Sequence, residues 1–273
     1  MIILYVLLDE KNRGDFQNVF SDDIPEEGNR VSLGAYRPDG AVLGAVSYAL
    51  NNYQFDIDWL YVAPEARCLG VGSGLLHEIE KIMTDTGERY PLSARFVVSN
   101  DQTALHRFFL SLSGADVSYS HERYFVKAGD LQAAKPLFQK TEMRFQSEYF
   151  FDRPIDWQER TLAMLARTQD LSVMDYESWK KECAPELCRC LMIQDELVGL
   201  IFVRKDKRDL ELSWLYCNHP TGLFSLLTDV AADANRYFPK AALTFDAINE
   251  RSDQLARRFF PNAQHMHIYE AWW

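Results

Sequence analysis

The sequence predicts an α/β fold of the α+β type, built from two tandem domains that each hold a mixed, mostly antiparallel sheet flanked by helices. Three observations lead to this prediction. The chain has 273 residues, a comfortable length for two domains. Hydrophobic residues make up 47% of it and charged residues 25%, which is typical of a globular protein with real cores. Short motifs of the first half also recur in the second half.

The repeat consists of four short matches that keep their order along the chain. Two matches lie 155 positions apart, namely Leu43-Gly44-Ala45 with Val198-Gly199-Leu200 and Trp59-Leu60-Tyr61 with Trp214-Leu215-Tyr216. Two lie 151 positions apart, namely Leu75-Leu76 with Leu226-Leu227 and Arg107-Phe108-Phe109 with Arg258-Phe259-Phe260. Duplication is the natural account. The predicted domains are residues 1–127 and 147–273, joined by a polar linker over 128–146.

Each element of the first copy follows from periodicity or turn chemistry. Segments rich in β-formers predict strands over 1–8, 31–36, 41–50, 54–62 and 90–98. The second and third form a hairpin around Asp39-Gly40, a strong turn signal. Apolar residues at helical spacing predict helices over 11–20, 72–85 and 101–112, the last capped by Asp101. Two short strands on either side of Ser120 complete the copy.

The second copy repeats this order after additional helices predicted over 156–167 and 176–182. A hairpin over 191–204 is followed by a strand over 210–217 and a helix over 221–237. A strand over 241–245, a helix over 252–259 and a final strand over 265–273 then complete it.

Charge and composition exclude several classes of function. The formal charge of −11 argues against a nucleic-acid partner, whose phosphates need basic surface, and suits a cationic substrate. No segment approaches the ~20 apolar residues of a membrane span. The apolar opening, residues 1–8, has no basic leader, so we expect a strand and a cytoplasmic protein. The five cysteines show no disulfide or metal spacing, and we expect no metal site.

The segment from Asp56 to Leu76 carries the chemical signal. A strand ends there, glycines make a tight turn and a helix begins, an arrangement that binds anions through free backbone N–H groups. The Gly-Lys-Ser/Thr ending of a nucleotide P-loop is missing. A dinucleotide fingerprint would need glycine where Leu75 stands. Glycines alone would equally fit a connection without a ligand.

The full pattern resembles the GNAT superfamily of acyl-CoA-dependent N-acetyltransferases. That signature is a strand ending in Val-x-Pro, followed by Arg/Gln-x-x-Gly-x-Gly/Ala and a Leu-containing helix. The positions that match in register are Val62, Pro64, Arg67, Gly70, Gly72, Leu75 and Leu76. The resemblance covers about residues 1–127 and extends weakly into 147–273. It implies a tandem GNAT protein that transfers an acyl group, with acetyl as the expected group, from acyl-CoA to a primary amine by direct attack in a ternary complex.

The resemblance also implies a set of cofactor-binding residues. Backbone amides of the glycine loop should hold the pyrophosphate of acetyl-CoA or another acyl-CoA, next to the Arg67 side chain; the loop residues are Cys68, Leu69, Gly70, Val71, Gly72 and Ser73. Backbone groups of Leu60, Tyr61 and Val62 should pair with the pantetheine arm, because the family splays its fourth and fifth strands apart. Asn100 stands where the family often places a polar cofactor contact, although it can equally cap the following helix.

The resemblance implies Asp56 as the general base, because members of the family often carry Glu six residues before the Val of Val-x-Pro. Asp58 lies on the same strand face, so the two carboxylates can together bind a cation. They can equally be solvated acids at a strand end.

Phe108 stands where the family usually has a tyrosine as general acid. Tyr119 or Tyr124 can substitute, or the thiolate leaves unassisted.

The second copy lacks the glycine loop but keeps an acid, Glu211, at the position of Asp56. It is predicted to be a degenerate scaffold that can also contribute to the acceptor pocket. Three functions stay open at this point: an acyltransferase, a non-catalytic sensor or regulatory module that binds acyl-CoA, and a structural interaction protein. For the enzyme we expect a cationic amine, attracted by Asp56, Asp58 and the acidic loop over 21–27.

Overall fold

A computed structural model describes residues 1–20, 30–51, 54–87, 90–98, 103–127, 145–169, 180–206 and 209–273. The chain divides into two compact units. The first unit holds residues 1–120 together with 267–273, and the second holds residues 121–266.

The helices and strands follow the predicted order. The strands are β1 (Leu4–Leu7), β2 (Arg30–Tyr36), β3 (Val42–Asn51), β4 (Gln54–Val62), β5 (Leu92–Val98), β6 (Asp116–Lys127), β7 (Gln146–Tyr149), β8 (Arg189–Ile193), β9 (Glu196–Asp206), β10 (Asp209–Cys217), β11 (Ala242–Ala247) and β12 (Gln264–Trp272). The α-helices are α1 (Val71–Thr86), α2 (Thr103–Leu110), α3 (Ile155–Gln169), α4 (Pro220–Tyr237) and α5 (Glu250–Phe259). Short 3₁₀ helices cover Arg13–Val19, Pro64–Ala66, Phe150–Asp152 and Pro185–Leu187.

In the first unit the strands lie in the order β1-β2-β3-β4-β5-β12. All neighbours pair antiparallel except β4 and β5, which pair parallel. Helix α1 buries the stripe that its sequence predicts, since Leu75, Leu76, Ile79 and Met83 all belong to the main core. Phe109 of α2 packs into the same core.

In the second unit the order is β6-β11-β10-β9-β8-β7, and β10 with β11 is the parallel pair. Leu226 and Val230 of α4 pack against buried residues of the sheet such as Leu191 and Val203. A second core surrounds Phe150 and Phe202, whose rings meet edge to face. The predicted fold class is therefore confirmed: each unit combines a mixed, mostly antiparallel sheet with helices.

Several predicted elements differ from the structure. The first helix is a 3₁₀ helix over Arg13–Val19 rather than an α-helix, and it contains Gly14, a weak helix former, near its start. The two strands expected around Ser120 are one continuous strand, β6, because Ser-His-Glu contains no Gly, Pro, Asn or Asp that would favour a tight turn. Strand β7, which the sequence did not predict, begins at Gln146, the last residue of the expected linker.

The last strand shows the largest difference from the predicted division of the chain. Residues 267–272 of β12 pair with β5 in the first unit, whereas residues 122–127 of β6 pair with β11 in the second. The compact units therefore differ from 1–127 and 147–273 at these two strands. Most of the predicted linker, the acidic loop over 21–27, Asn100, the Asp101 cap and most of the helix over 176–182 lie outside the described residues.

Candidate functional site

A β-bulge interrupts strand β4 at Asp58. On β3, the adjacent residues Tyr48 and Ser47 pair with Ile57 and Trp59, so Asp58 is the extra residue between them. Before the bulge Phe55 and Ile57 face the main core, and after it Leu60 and Val62 do. The bulge thus exchanges the faces to which odd and even positions point.

Strands β4 and β5 stop pairing at Ile57, the residue directly before the bulge. They pair at Phe55 with Leu92, Asp56 with Ser93 and Ile57 with Ala94, although β4 continues to Val62 and β5 to Val98. On its other edge β5 stays paired with β12 up to Val98. Within the described part of the chain, the β5-facing edge of residues 58–62 is therefore unpaired by any strand, and the expected divergence is confirmed.

The glycine loop leads from β4 into α1 through two left-handed residues. Cys68 has φ of 59° and Gly70, the N-cap of α1, has φ of 82°. Residues 67–70 are exposed. The N–H of Gly74 donates to the Gly70 carbonyl at 2.9 Å, so the N–H groups before it belong to the open end of the helix. Left-handed residues beside a helix N-terminus form a concave backbone surface that suits anions.

The glycines of this segment serve different purposes. A Cβ atom on Gly70 would meet no heavy atom within 4 Å, so glycine is needed there for its positive φ. On Gly72 it would lie 3.2 Å from the ring of Phe108, and on Gly74 it would lie 1.7 Å from the hydroxyl of Tyr5. Gly74 is a requirement that the sequence analysis missed, because only the position of Tyr5 on β1 reveals it.

Arg67 joins the start of the loop to the end of β4. Its Nε donates to the carbonyl oxygen of Val62 at 3.1 Å, and its side chain is otherwise on the exposed surface. The guanidinium is thus held beside the loop whose amides face outward.

The two candidate catalytic aspartates have different surroundings. Asp56 is half-buried, and its Oδ1 accepts hydrogen bonds from Gln54 Nε2 at 2.7 Å and from the hydroxyl of Ser93. Asp58 is exposed and pairs with Arg30, whose Nε lies 2.5 Å from Oδ2. Arg30 compensates the negative charge of Asp58, which the sequence alone did not predict.

The side chains considered as general acids lie in separate places. Phe108 packs on Gly72 and contacts Phe109 edge to face. Tyr119, in the first unit, is exposed and contacts the ring of Tyr269. Tyr124 is buried in the second unit, where its hydroxyl donates to Asp253 Oδ1 at 2.6 Å. Burial and this hydrogen bond raise the pKa of Tyr124 far above its usual value, so it is a poor proton donor.

The second unit repeats the strand geometry of the first. Ser213 is bulged in β10, at the position equivalent to Asp58. Strands β10 and β11 pair at Leu210 with Leu243 and at Glu211 with Thr244, and then diverge. The rings of Trp214 and Tyr216 stack at 6.0 Å, as those of Trp59 and Tyr61 do at 6.4 Å. The repeat found in the sequence is therefore a repeat of structure.

The loop of the second unit is different, because α4 begins directly after Asn218-His219. His219 has φ of −120°, so the left-handed turn of the first unit is not reproduced. The ring of Phe145 lies 5.0 Å from that of His219, and a Cβ on Gly222 would meet Leu191 at 2.7 Å. Packed side chains thus surround the start of α4.

Two buried cysteines of the second unit, Cys188 and Cys190, are unreactive. Burial raises the pKa of Cys190 to about 11 and also raises that of Cys188, which keeps both as protonated thiols. Among the described residues, no group of three or more His, Cys, Asp or Glu side chains is placed to hold a metal ion. No described helix is both long and apolar enough to cross a bilayer.

Comparison with known proteins finds one family model that matches part of the chain. Residues 3–114 match the model of the acetyltransferase (GNAT) family. No curated protein sequence matches the chain.

Solved structures share the fold over both units. A tandem GNAT protein from the clavulanic acid biosynthesis pathway is similar with a TM-score of 0.64 at 12% identity, over 99% of this chain and 98% of that chain. A GCN5-related N-acetyltransferase from Sphaerobacter thermophilus has a TM-score of 0.63 at 15% identity, over 96% and 84%. The glucosamine N-acetyltransferase region of a fungal multi-domain GH3 β-N-acetylglucosaminidase has a TM-score of 0.67 at 12% identity, over 100% and 38%. These likenesses show a tandem GNAT fold.

Proposed function

We propose that the chain is an acyl-CoA-dependent N-acyltransferase that acylates a primary amine, because residues 3–114 match the model of the acetyltransferase (GNAT) family. One observation carries the proposal: the left-handed glycine loop at the start of α1 adjoins the unpaired edge of β4. A diphosphate and an extended amide chain are the groups that these two features suit. Acetyl is the acyl group with which to begin.

The residues of the loop fit the diphosphate of coenzyme A. Positive φ at Cys68 and Gly70 directs successive N–H groups to one side, and the N-terminus of α1 adds its dipole. Arg67 supplies a positive charge at the rim. The backbone of Leu60 to Val62 would pair with the pantetheine amides in the manner of an added strand. Acyl-CoA supplies the activated thioester.

Asp56 is the better candidate for the general base. An alkylammonium with a pKa of ~10.4 must lose a proton before it can attack, which costs roughly 4–5 kcal/mol at neutral pH. Asp56 lies where β4 and β5 begin to part and is held by two neutral donors, whereas Asp58 is engaged by Arg30. In the proposed reaction the ammonium first loses one proton to solvent through Asp56. The free amine nitrogen then bonds to the acyl carbon, its second proton passes to Asp56, and the carbon–sulfur bond breaks.

The leaving thiolate needs no tyrosine in this scheme. Phe108 fills the position where the family usually places one, and Tyr124 is bonded to Asp253 in the other unit. A thiol with a pKa near ~8.5 is a fair leaving group without protonation. We therefore propose release as the thiolate, with the second unit acting as scaffold and without a cofactor site of its own.

The proposed acceptor is a cationic amine. Asp56 and Asp58 support this choice, although Arg30 offsets part of their field. The acidic loop over 21–27, which lies outside the described residues, contributes to the argument only through its composition.

The decisive experiment offers acetyl-CoA with a panel of amines and measures release of free thiol. Thiol release that depends on one class of amine is the expected result. The second candidate, a sensor that binds acyl-CoA without turnover, is favoured by Phe108 in place of a tyrosine. Calorimetric binding of acetyl-CoA without thiol release from any amine would select the sensor, and no binding at all would remove both functions.

A further inference from the structure

We infer that Ser93 is a positioning residue for the acyl transfer, holding the Asp56 carboxylate at the point where β4 and β5 separate. The inference rests on the proposed function and deepens it. Its basis is the hydrogen bond from the Ser93 hydroxyl to Asp56 Oδ1, between residues that are direct partners in the parallel pair.

The hydrogen bond between Ser93 and Asp56 lies next to the point where β4 and β5 separate. Asp56 and Ser93 form the middle rung of the short parallel pairing, and the bulge at Asp58 follows directly. Beyond that point β4 has no strand on its β5 side among the described residues. A carboxylate so close to an opening between strands needs a fixed orientation if it is to take a proton from a bound amine, because proton transfer depends on hydrogen-bond geometry.

Two donors meet on the same oxygen of Asp56. Gln54 Nε2 reaches Oδ1 from two residues before on β4, and Ser93 reaches it from β5. Ser93 is buried, with 6% of its surface exposed, so its hydroxyl is shielded from competing water. Gln54 lies on the same strand as Asp56, whereas the bond from Ser93 joins the carboxylate to β5.

The second unit contains the same rung without the same bond. Glu211 and Thr244 stand at the positions of Asp56 and Ser93 and are likewise direct partners. There the Thr244 hydroxyl donates to the carbonyl of Leu210 at 3.1 Å, and Glu211 is bound by Arg204 at 2.7 Å. The hydroxyl-to-acid bond is therefore a feature of the unit that has the glycine loop, rather than a consequence of the repeated fold.

The test compares Ser93→Ala with Thr244→Ala in the full chain, each also combined with Asp56→Asn. Ser93→Ala should lower kcat for the best amine about ten- to hundred-fold, the loss expected for one hydrogen bond to a charged group, with the affinity for acetyl-CoA unchanged. Thr244→Ala should leave kcat within about twofold. In the Asp56→Asn background Ser93→Ala should have little further effect, because a residue that acts through another is non-additive with it.

Three results would overturn the inference: an unchanged kcat in Ser93→Ala, an equal loss in Thr244→Ala, or additive losses for Ser93→Ala and Asp56→Asn. A thermal-unfolding cycle of the same variants gives a readout that needs no activity. If wild type releases no thiol from any amine, the proposed function fails. If the losses of thermal stability in Ser93→Ala and Asp56→Asn were then non-additive, the hydrogen bond would be shown to stabilise the fold without a role in catalysis.

Discussion

Strands β4 and β10 have the same irregularity but different surroundings. Both are bulged at equivalent residues, Asp58 and Ser213, and both part from a parallel neighbour after a short pairing. Only β4 leads into a left-handed loop before the next helix. The bulge and the divergence therefore belong to the scaffold and persist without a phosphate loop, so they do not by themselves mark a site.

The acids of the two strands show the same contrast. Asp56 accepts hydrogen bonds from an amide and a hydroxyl, whereas Glu211 forms an ion pair with Arg204, which also reaches Glu182 at 3.3 Å. Other acids of the second unit are also paired with arginine, as Asp233 is with Arg189 at 2.5 Å. Glu211 is therefore paired with a positive charge, whereas the hydrogen bonds to Asp56 from Gln54 and Ser93 come from neutral groups.

Of the changes that test this comparison, replacing Asp56 by Asn should have the largest effect on turnover. Loss of a general base typically costs 10²–10⁴-fold in rate, so turnover should fall by about that factor. Coenzyme A affinity should change by less than about twofold, as measured by calorimetry. Glu211→Gln is the matched control and should leave turnover unchanged. Damage from Asp58→Asn with a silent Asp56→Asn would assign the base to the other aspartate.

The next largest effect is expected on coenzyme A affinity, from a charge reversal beside the glycine loop. We expect one coenzyme A per chain in a calorimetric titration, since Cys68 and Gly70 before α1 are left-handed and His219 before α4 is not. Arg67→Glu places a negative charge beside the diphosphate and should weaken binding about tenfold, or ~1.4 kcal/mol. Arg37→Glu, the same reversal in an exposed hairpin turn, is the control. Two equivalent sites would mean that the second unit binds through a surface other than its helix start.

Local patterns in the sequence predicted much of this architecture. The gapless offset between Trp59-Leu60-Tyr61 and its copy predicts that β4 and β10 are equivalent strands. In the structure the same offset also relates their bulged residues, Asp58 and Ser213. The glycine loop was recognised because its pattern is local. The membership of β12 in the first unit could not be read in this way, because strand pairing over long separations leaves no short-range mark. The sequence did not predict the Arg30–Asp58 ion pair for the same reason, since its members lie on different strands.

The charge of the acceptor should have a smaller effect. If the acids of the first unit guide the substrate, a cationic amine should have a kcat/KM several-fold above that of a matched zwitterion at low salt. Added salt should reduce that advantage, because exposed charges are screened beyond ~10 Å at 0.1 M ionic strength. The control is Asp58→Asn, which should lower the preference without abolishing turnover. A preference for the zwitterion, or a cation rate that ignores salt, would remove the electrostatic claim and leave the transferase assignment intact.

The smallest expected effect concerns Tyr124, which the sequence offered as a general acid. Its hydroxyl donates to Asp253, and that hydrogen bond, followed by the one from Arg257, lowers the pKa of Asp253. Tyr124→Phe should leave turnover unchanged and lower the free energy of unfolding by about 1 kcal/mol at neutral pH. A carboxyl whose pKa is lowered by folding stabilises the fold above its ordinary pKa, and the contribution disappears as pH falls through the folded value. The difference between wild type and Tyr124→Phe should therefore shrink below about pH 4, as urea unfolding at a series of pH values would measure. A turnover defect at unchanged stability would instead return Tyr124 to the list of candidate acids.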